Sequence, residues 1–186
     1  MSKLIIRQFL PGDQAKLSEL YRTGMDVYKD IPIISDCTKW FVDDKLKPGG
    51  DVSDVQKHFM ETSVNEKKKT FWVAVLNEKL VGCVGAIPST KYNPDKYCEL
   101  VRMSVSAECR KVGIASRMIK VLEDWAREEG YEYVNLSTLQ KMQLAVQLYT
   151  KNGYTLREEE QHNIMERLKT PEPTFITVHH FEKSLV

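Results

Sequence analysis

The stretch of this chain best equipped for chemistry runs from Glu99 to Ala115: Glu-Leu-Val-Arg-Met-Ser-Val-Ser-Ala-Glu-Cys-Arg-Lys-Val-Gly-Ile-Ala. A β-like run feeds a short turn, and the turn opens a helix with the pattern R-x-x-G-x-A at Arg110, Gly113 and Ala115. Such a turn aims several backbone N–H groups, and the positive end of the helix dipole, at one point beyond the strand. Gly113 lets a ligand approach the backbone closely, and the small Ala115 leaves that approach open. A phosphate or pyrophosphate suits this point, and Arg110 and Lys111 add positive charge. The pattern is not a P-loop, which ends in Gly-Lys-Ser/Thr, nor a dinucleotide fingerprint, which needs three spaced glycines. Taken alone, it describes an ordinary helix start equally well.

Other reactive side chains are less organised. Cys109 lies beside the turn, where a helix N-terminus can lower a thiol pKa, but it reads as an incidental neighbour of the anion site. No cysteine–histidine pair has the spacing of a nucleophile dyad, which argues against a covalent intermediate on a cysteine. His179 and His180 are adjacent in one strand, so alternation puts one in and one out, and they make no metal site.

The elements that must position these groups follow from periodicity and breakers. Lys3–Leu10 is β-like, and Pro11-Gly12-Asp13 starts a helix with Asp13 as N-cap and Leu17, Leu20, Tyr21 and Met25 as its apolar face. Across 31–50, Pro32, Pro48 and Gly49-Gly50 argue for loop, with Trp40, Phe41 and Leu46 packing as a short helical turn. Asp51–Lys69 reads as a second helix through Val52, Val55, Phe59 and Met60. Strands follow at Thr70–Leu76 and Lys79–Ile87, joined as a hairpin at Asn77-Glu78, and then at Tyr97–Val105. Gly113–Glu129 is the clearest helix, with Ile114, Met118, Val121, Leu122 and Trp125 in one stripe and Gly130 as its stop. Strand Tyr133–Leu139, helix Lys141–Asn152 and strands Tyr154–Glu159 and Thr174–Lys183 complete the chain, around a polar insert at Gln161–Pro173.

With 186 residues, 42% apolar and 28% charged, the composition suits a single domain over 1–186 with a sizeable core. Lys plus Arg (27) nearly balances Asp plus Glu (26), so the electrostatic footprint of a nucleic-acid binder is missing. The four scattered cysteines suit reduced thiols in the cytoplasm. The purest apolar stretch, Phe71–Leu76, is far shorter than a membrane span, and the N-terminus reads as a strand rather than a signal peptide.

The order strand, R-x-x-G-x-A turn, helix, strand, and then Ala145-Val-Gln-Leu-Tyr149-Thr-Lys-Asn-Gly153-Tyr154, resembles the GNAT superfamily of acyl-CoA N-acyltransferases. A closer resemblance is to the camello-like N-acetyltransferases, carried by Asp51-Val-Ser-Asp54, Phe71-Trp-Val-Ala74, Leu80-Val-Gly-Cys-Val-Gly-Ala86 and Met103-Ser-Val105. Together these pieces span roughly residues 50–155. Three positions depart from the pattern. The relatives' hydrophobic membrane segment is replaced by the polar run Cys37–Pro48, the usual glycine or lysine of the turn is Val112, and an asparagine common early in the fourth helix is replaced around Met142.

The resemblance implies an α/β GNAT fold: a mixed, largely antiparallel sheet of about seven strands with about four helices. It implies acetyl-CoA as co-substrate, with its pyrophosphate on the turn Arg110, Lys111, Val112, Gly113, Ile114, Ala115 and Ser116. Its pantetheine arm would lie along Met103, Ser104 and Val105. A backbone N–H there, that of Val105, would serve as oxyanion donor, while the side chains of Met103 and Val105 can still pack in the core. Tyr149 would face the sulfur, and a phenol with a pKa near 10 is protonated at neutral pH and can donate to a departing thiolate. Glu99 stands where one branch of the superfamily carries its general base. Core packing for Tyr149 and simple exposure for Glu99 are the alternatives. The expected activity is direct acetyl transfer to an amine: a small amine, a cysteine conjugate or a protein lysine. A homodimer is compatible with it. The alternative is a non-catalytic acyl-CoA-binding or interaction module of the same fold.

Overall fold

The computed structural model describes residues 3–61 and 68–186. One seven-stranded sheet in the order β1-β2-β3-β4-β5-β7-β6 organises the chain. Its strands are β1 (Leu4–Gln8), β2 (Thr70–Leu76), β3 (Lys79–Pro88), β4 (Tyr97–Val105), β5 (Tyr133–Leu139), β6 (Thr155–Asn163) and β7 (Phe175–Ser184). All neighbours are antiparallel except β4 and β5, which run parallel. The β2–β3 hairpin turns at Asn77 and Glu78, both with positive φ, in keeping with the right-handed twist of the flanking strands.

Two cores form, one on each face of the sheet. On one face, α3 (Ile114–Glu128) lays Ile114, Met118, Ile119, Leu122 and Ala126 against β2, β3 and β4. Each large side chain fully buried there contributes about 1.5–3 kcal/mol. Gly130, at φ +81°, ends the helix with its N–H on the Arg127 carbonyl. On the other face, α1 (Gln14–Gly24) buries Leu17, Leu20 and Tyr21 against Phe71, Val73, Cys83 and Val101. The remaining helices are α2 (Ile34–Leu46), α4 (Gln143–Lys151) and the single turn α5 (Met165–Leu168). No helix among the described residues is long and apolar enough to cross a membrane.

Four local expectations are corrected. Residues 31–50 carry a thirteen-residue helix, α2, rather than a loop with one helical turn. The breakers bracket it: Pro32 precedes it, and Lys47 is already extended ahead of Pro48. The reverse error concerns Asp51–Lys69, where the described helical part is only a π turn at Gln56–Met60, 62–67 lying outside the described residues. The backbone before it is satisfied from elsewhere. The Gln14 side chain donates to Val52 O at 2.8 Å and accepts from Val55 N at 3.1 Å, and Lys45 O accepts from the Val52 and Ser53 amides. Asp13 makes no side-chain cap on α1, because its carboxylate takes the Leu10 N–H and both terminal nitrogens of Arg7. Finally, the insert is partly regular: β6 runs on to Asn163, and α5 follows.

Candidate active site

The parallel junction between β4 and β5 is short. Only Tyr97↔Tyr133, Cys98↔Val134 and Glu99↔Asn135 pair, after which β4 follows β3 and β5 follows β7, so the strands splay apart. A bulge then re-aims the free edge of β4. Ser89 N–H bonds to Tyr97 O and Ser106 N–H to Val81 O, each at 2.9 Å, so Tyr97, Glu99 and Val101 face β3 at one end and Ser104 and Ser106 at the other. These odd and even series meet at Arg102, whose φ of +57° marks the extra residue. Beyond it, Met103 and Val105 turn their backbone groups into the splay while their side chains stay with the α3 core.

After Val105 the chain makes a 3-10 turn at Ala107–Cys109, and Lys111 (φ +64°) and Gly113 (φ +84°) both adopt left-handed conformations. Gly113 is the N-cap of α3 and offers no side chain to its first turn, which also lacks any acidic residue. The orphan amides therefore point outward with the positive dipole end. A Cβ built on Gly113 meets nothing within 4 Å, so this approach is open.

The splay and the turn form one side of a cavity of about 660 Å³, which is also lined by α1, α2, α4, α5, β5 and β7. Tyr149 of α4 lines it and is 7% exposed, packed near Tyr154 and Phe181. Burial, with Tyr28 close by, pushes its phenol well above the ordinary range, so the hydroxyl keeps its proton. Glu99 lines the cavity at the last paired rung, its Oε2 accepting from Thr90 N (3.0 Å) and Thr90 Oγ1 (2.7 Å). The cavity brings Tyr149, Glu99, Met103–Val105 and most of the turn together, Val112 excepted.

The turn's side chains are engaged differently from the sequence expectation. The Arg110 guanidinium is tied to two backbone carbonyls, Val105 O at 3.1 Å and Gly24 O at 2.7 Å, so it clamps α1 to the end of β4. Val112 is 62% exposed, and Ile114 is buried in the core. Ser116 accepts a hydrogen bond from Asn152 Nδ2 at 3.0 Å, and Ser104 Oγ is buried against Gly24 without a partner. What the turn leaves open to a ligand is thus chiefly its backbone.

Several cavity residues went unnoticed in the sequence. Arg102 forks onto Asp51 through Nε (3.1 Å to both oxygens) and Nη2 (2.6 Å), and lies over the Phe41 ring. Tyr28 is buried beside Arg110, its phenol pushed up by burial. Arg167 of α5 stacks on Trp40 of α2, 4.4 Å from the ring centroid. Ser137 of β5 lines the cavity and bonds to His180 of β7. His179 and His180 do fall on opposite faces, yet both are buried, because both faces of β7 are covered. Among the described residues no group of three or more His, Cys, Asp or Glu is placed to hold a metal ion.

Comparison with known proteins places this geometry among relatives. The model of the acetyltransferase (GNAT) family matches residues 34–154. Human N-acetyltransferase 8 is 34% identical over 105 residues, covering 56% of this chain and 44% of the relative. The probable N-acetyltransferase camello of Xenopus tropicalis is 34% identical over 104 residues, covering 56% and 45%. These aligned stretches take in less than half of either relative. Among solved structures, an aminoglycoside 6′-N-acetyltransferase complexed with coenzyme A superposes with a TM-score of 0.64 at 19% identity, covering 98% of this chain and 97% of the other.

Proposed function

Because the chain belongs to the acetyltransferase (GNAT) family, we propose that it moves an acetyl group directly from acetyl-CoA to an amine. The observation that carries this reading is one cavity in which the free edge of β4, the uncapped start of α3 and a buried, protonated Tyr149 all converge. The α3 turn, from Arg110 to Ser116, receives the pyrophosphate through its backbone amides. The pantetheine arm, itself a chain of amides, pairs with Met103–Val105 as an added strand would. The amine nitrogen attacks the thioester carbon, and the N–H of Val105, or that of Met103 one step nearer Glu99, donates to the oxygen as charge builds. When the C–S bond breaks, Tyr149 Oη gives its proton to the leaving sulfur. Glu99 is a candidate acceptor for the amine proton. The amine itself is a small molecule, a cysteine conjugate or a protein lysine.

Tyr149→Phe tests the reading, because it keeps the ring and deletes only the hydroxyl that donates the proton. General acid catalysis is worth about 10²–10⁴-fold. A thiol leaves fairly well even unassisted, so the expected loss of turnover is about 10–100-fold, or roughly 1.4–2.7 kcal/mol of barrier. Acetyl-CoA binding should be unchanged. Release of free coenzyme A over an amine panel, with a melting curve on the same preparation, decides the matter. A module that only binds acyl-CoA would release no thiol, and a tyrosine that only packs would lose melting temperature with turnover intact.

A further inference from the structure

The registers of β5, β7 and β6 set Ser137, His180 and Glu158 in one row, since His180 is the partner of both Ser137 and Glu158. Ser137 is exposed on the cavity wall, and its Oγ lies 2.8 Å from His180 Nδ1. His180 is 6% exposed. Its other nitrogen, Nε2, lies 3.4 Å from a Glu160 carboxylate oxygen and makes no hydrogen bond to it or to any other group. Two carboxylates from β6, Glu158 and Glu160, therefore face His180, and Lys91 of the β3–β4 loop pairs with both. Tyr92 from the same loop donates to Glu158, and His162 of β6 lies 3.2 Å from Glu160. Ser137, from β5, is neutral.

We propose that Ser137 and His180 form a relay that takes the proton from the acceptor amine. The proposal rests on the acetyl-transfer reading above. A carboxylate facing Nε2 favours the tautomer with its proton on Nε2 and leaves Nδ1 as an acceptor for the serine hydroxyl. As the amine adds to the thioester carbon, its N–H proton passes to Ser137 Oγ while the serine's own proton passes to His180 Nδ1. The resulting imidazolium turns Nε2–H toward Glu160, where negative charge already stands. Ser137 touches the substrate, and His180 acts through it. Glu99, one rung before the splay, is already engaged with Thr90 through two hydrogen bonds, whereas Ser137 lies two residues beyond Asn135, on the part of β5 that borders the opening.

The test is kinetics on the full chain with acetyl-CoA and a weakly basic aromatic amine that stays uncharged over the pH range studied. Ser137→Ala and His180→Gln should each lower kcat by about 100-fold, with KM for acetyl-CoA unchanged. The acid limb of the wild-type pH profile should vanish in His180→Gln and persist in Glu99→Gln. The double variant should be no slower than the slower single one, because the pair acts as a unit. Ser137 is exposed, so Ser137→Ala keeps the fold even if His180→Gln does not. Imidazole ¹⁵N spectra of the wild type supply a readout independent of turnover: Nε2–H is expected, and Nδ1–H would overturn the relay. Turnover and acid limb unchanged in Ser137→Ala would overturn the relay alone. A wild type that acetylates no amine in a broad panel would remove the acetyl-transfer reading and the relay with it.

Discussion

Along the β4–α3 wall of the cavity, the groups aimed inward belong largely to the backbone: Met103 and Val105 on the free edge of β4 and the amides that open α3. The facing wall is made of side chains. Trp40 and Phe41 come from α2, Arg167 from α5, Ser137 from β5, and Ile176 and Val178 from β7. On the acetyl-transfer reading proposed above, a wall of backbone recognises only what every acyl-coenzyme shares, a pyrophosphate and a run of amides. One made of side chains can be re-cut for another acceptor without disturbing the sheet. Generality and selectivity are thus divided between two walls of one cavity.

Substitutions can break or sharpen this contrast. The largest expected effect is on the backbone wall, where Gly113→Asp sets a carboxylate among the converging amides. Coenzyme affinity should fall by about 100-fold, or roughly 2.7 kcal/mol, by titration calorimetry. Gly113→Ala separates charge from strain. Both variants bear about 1–2 kcal/mol for a side chain at positive φ, and neither Cβ meets an atom within 4 Å. Equal weakening by Ala and Asp would mean that strain, not charge, acts at this turn.

On the side-chain wall, Arg167→Ala removes the cation stacked on Trp40. An exposed contact of this kind is worth about 0.5–1 kcal/mol, so KM for the amine should shift about two- to fivefold. Acetyl-CoA affinity should not move. If it does, the walls are not independent.

The smallest effect lies outside both. Arg7, by direct hydrogen bonding, holds the Asp13 carboxyl below the usual carboxylate range. A depressed carboxylate contributes stability that is complete above the unfolded-state pKa, about 4, and is lost as pH falls through the folded value. Asp13→Asn should therefore melt below wild type at neutral pH, with the gap closing below about pH 4. A gap that stayed constant with pH would assign the effect to packing.

How far the molecule can be read from its sequence follows the same division. Strands Thr70–Leu76, Tyr97–Val105 and Tyr133–Leu139 stand where their β-branched and aromatic runs place them, because such runs and the turns that bound them are local signals. The turn at Gly113 is equally local. Helix α2 was hidden because prolines and glycines just outside a helix look, in sequence, like breakers within one. The hydrogen bond from Ser137 to His180 spans 43 residues and that from Arg102 to Asp51 spans 51. Sheet register makes the first and the bulge in β4 directs the second. Neither has a local pattern, and the left-handed φ of Arg102 carries no glycine to announce it.

That bulge has a consequence for how such a chain can change. Losing one residue between Glu99 and Val105 would barely alter composition or hydrophobicity, and β4 could still pair along β3. Regular alternation would then replace the bulge and still leave Val105 facing the splay and Ser106 facing β3, with no left-handed residue needed at Arg102. Losing two would keep the phase only if the bulge itself were kept, because regular alternation would turn the Val105 amide toward β3. In this strand a lineage can shed the extra residue, bulge and all, and keep the wall, whereas a change of two residues that also straightens the strand erases the wall while leaving a foldable sheet.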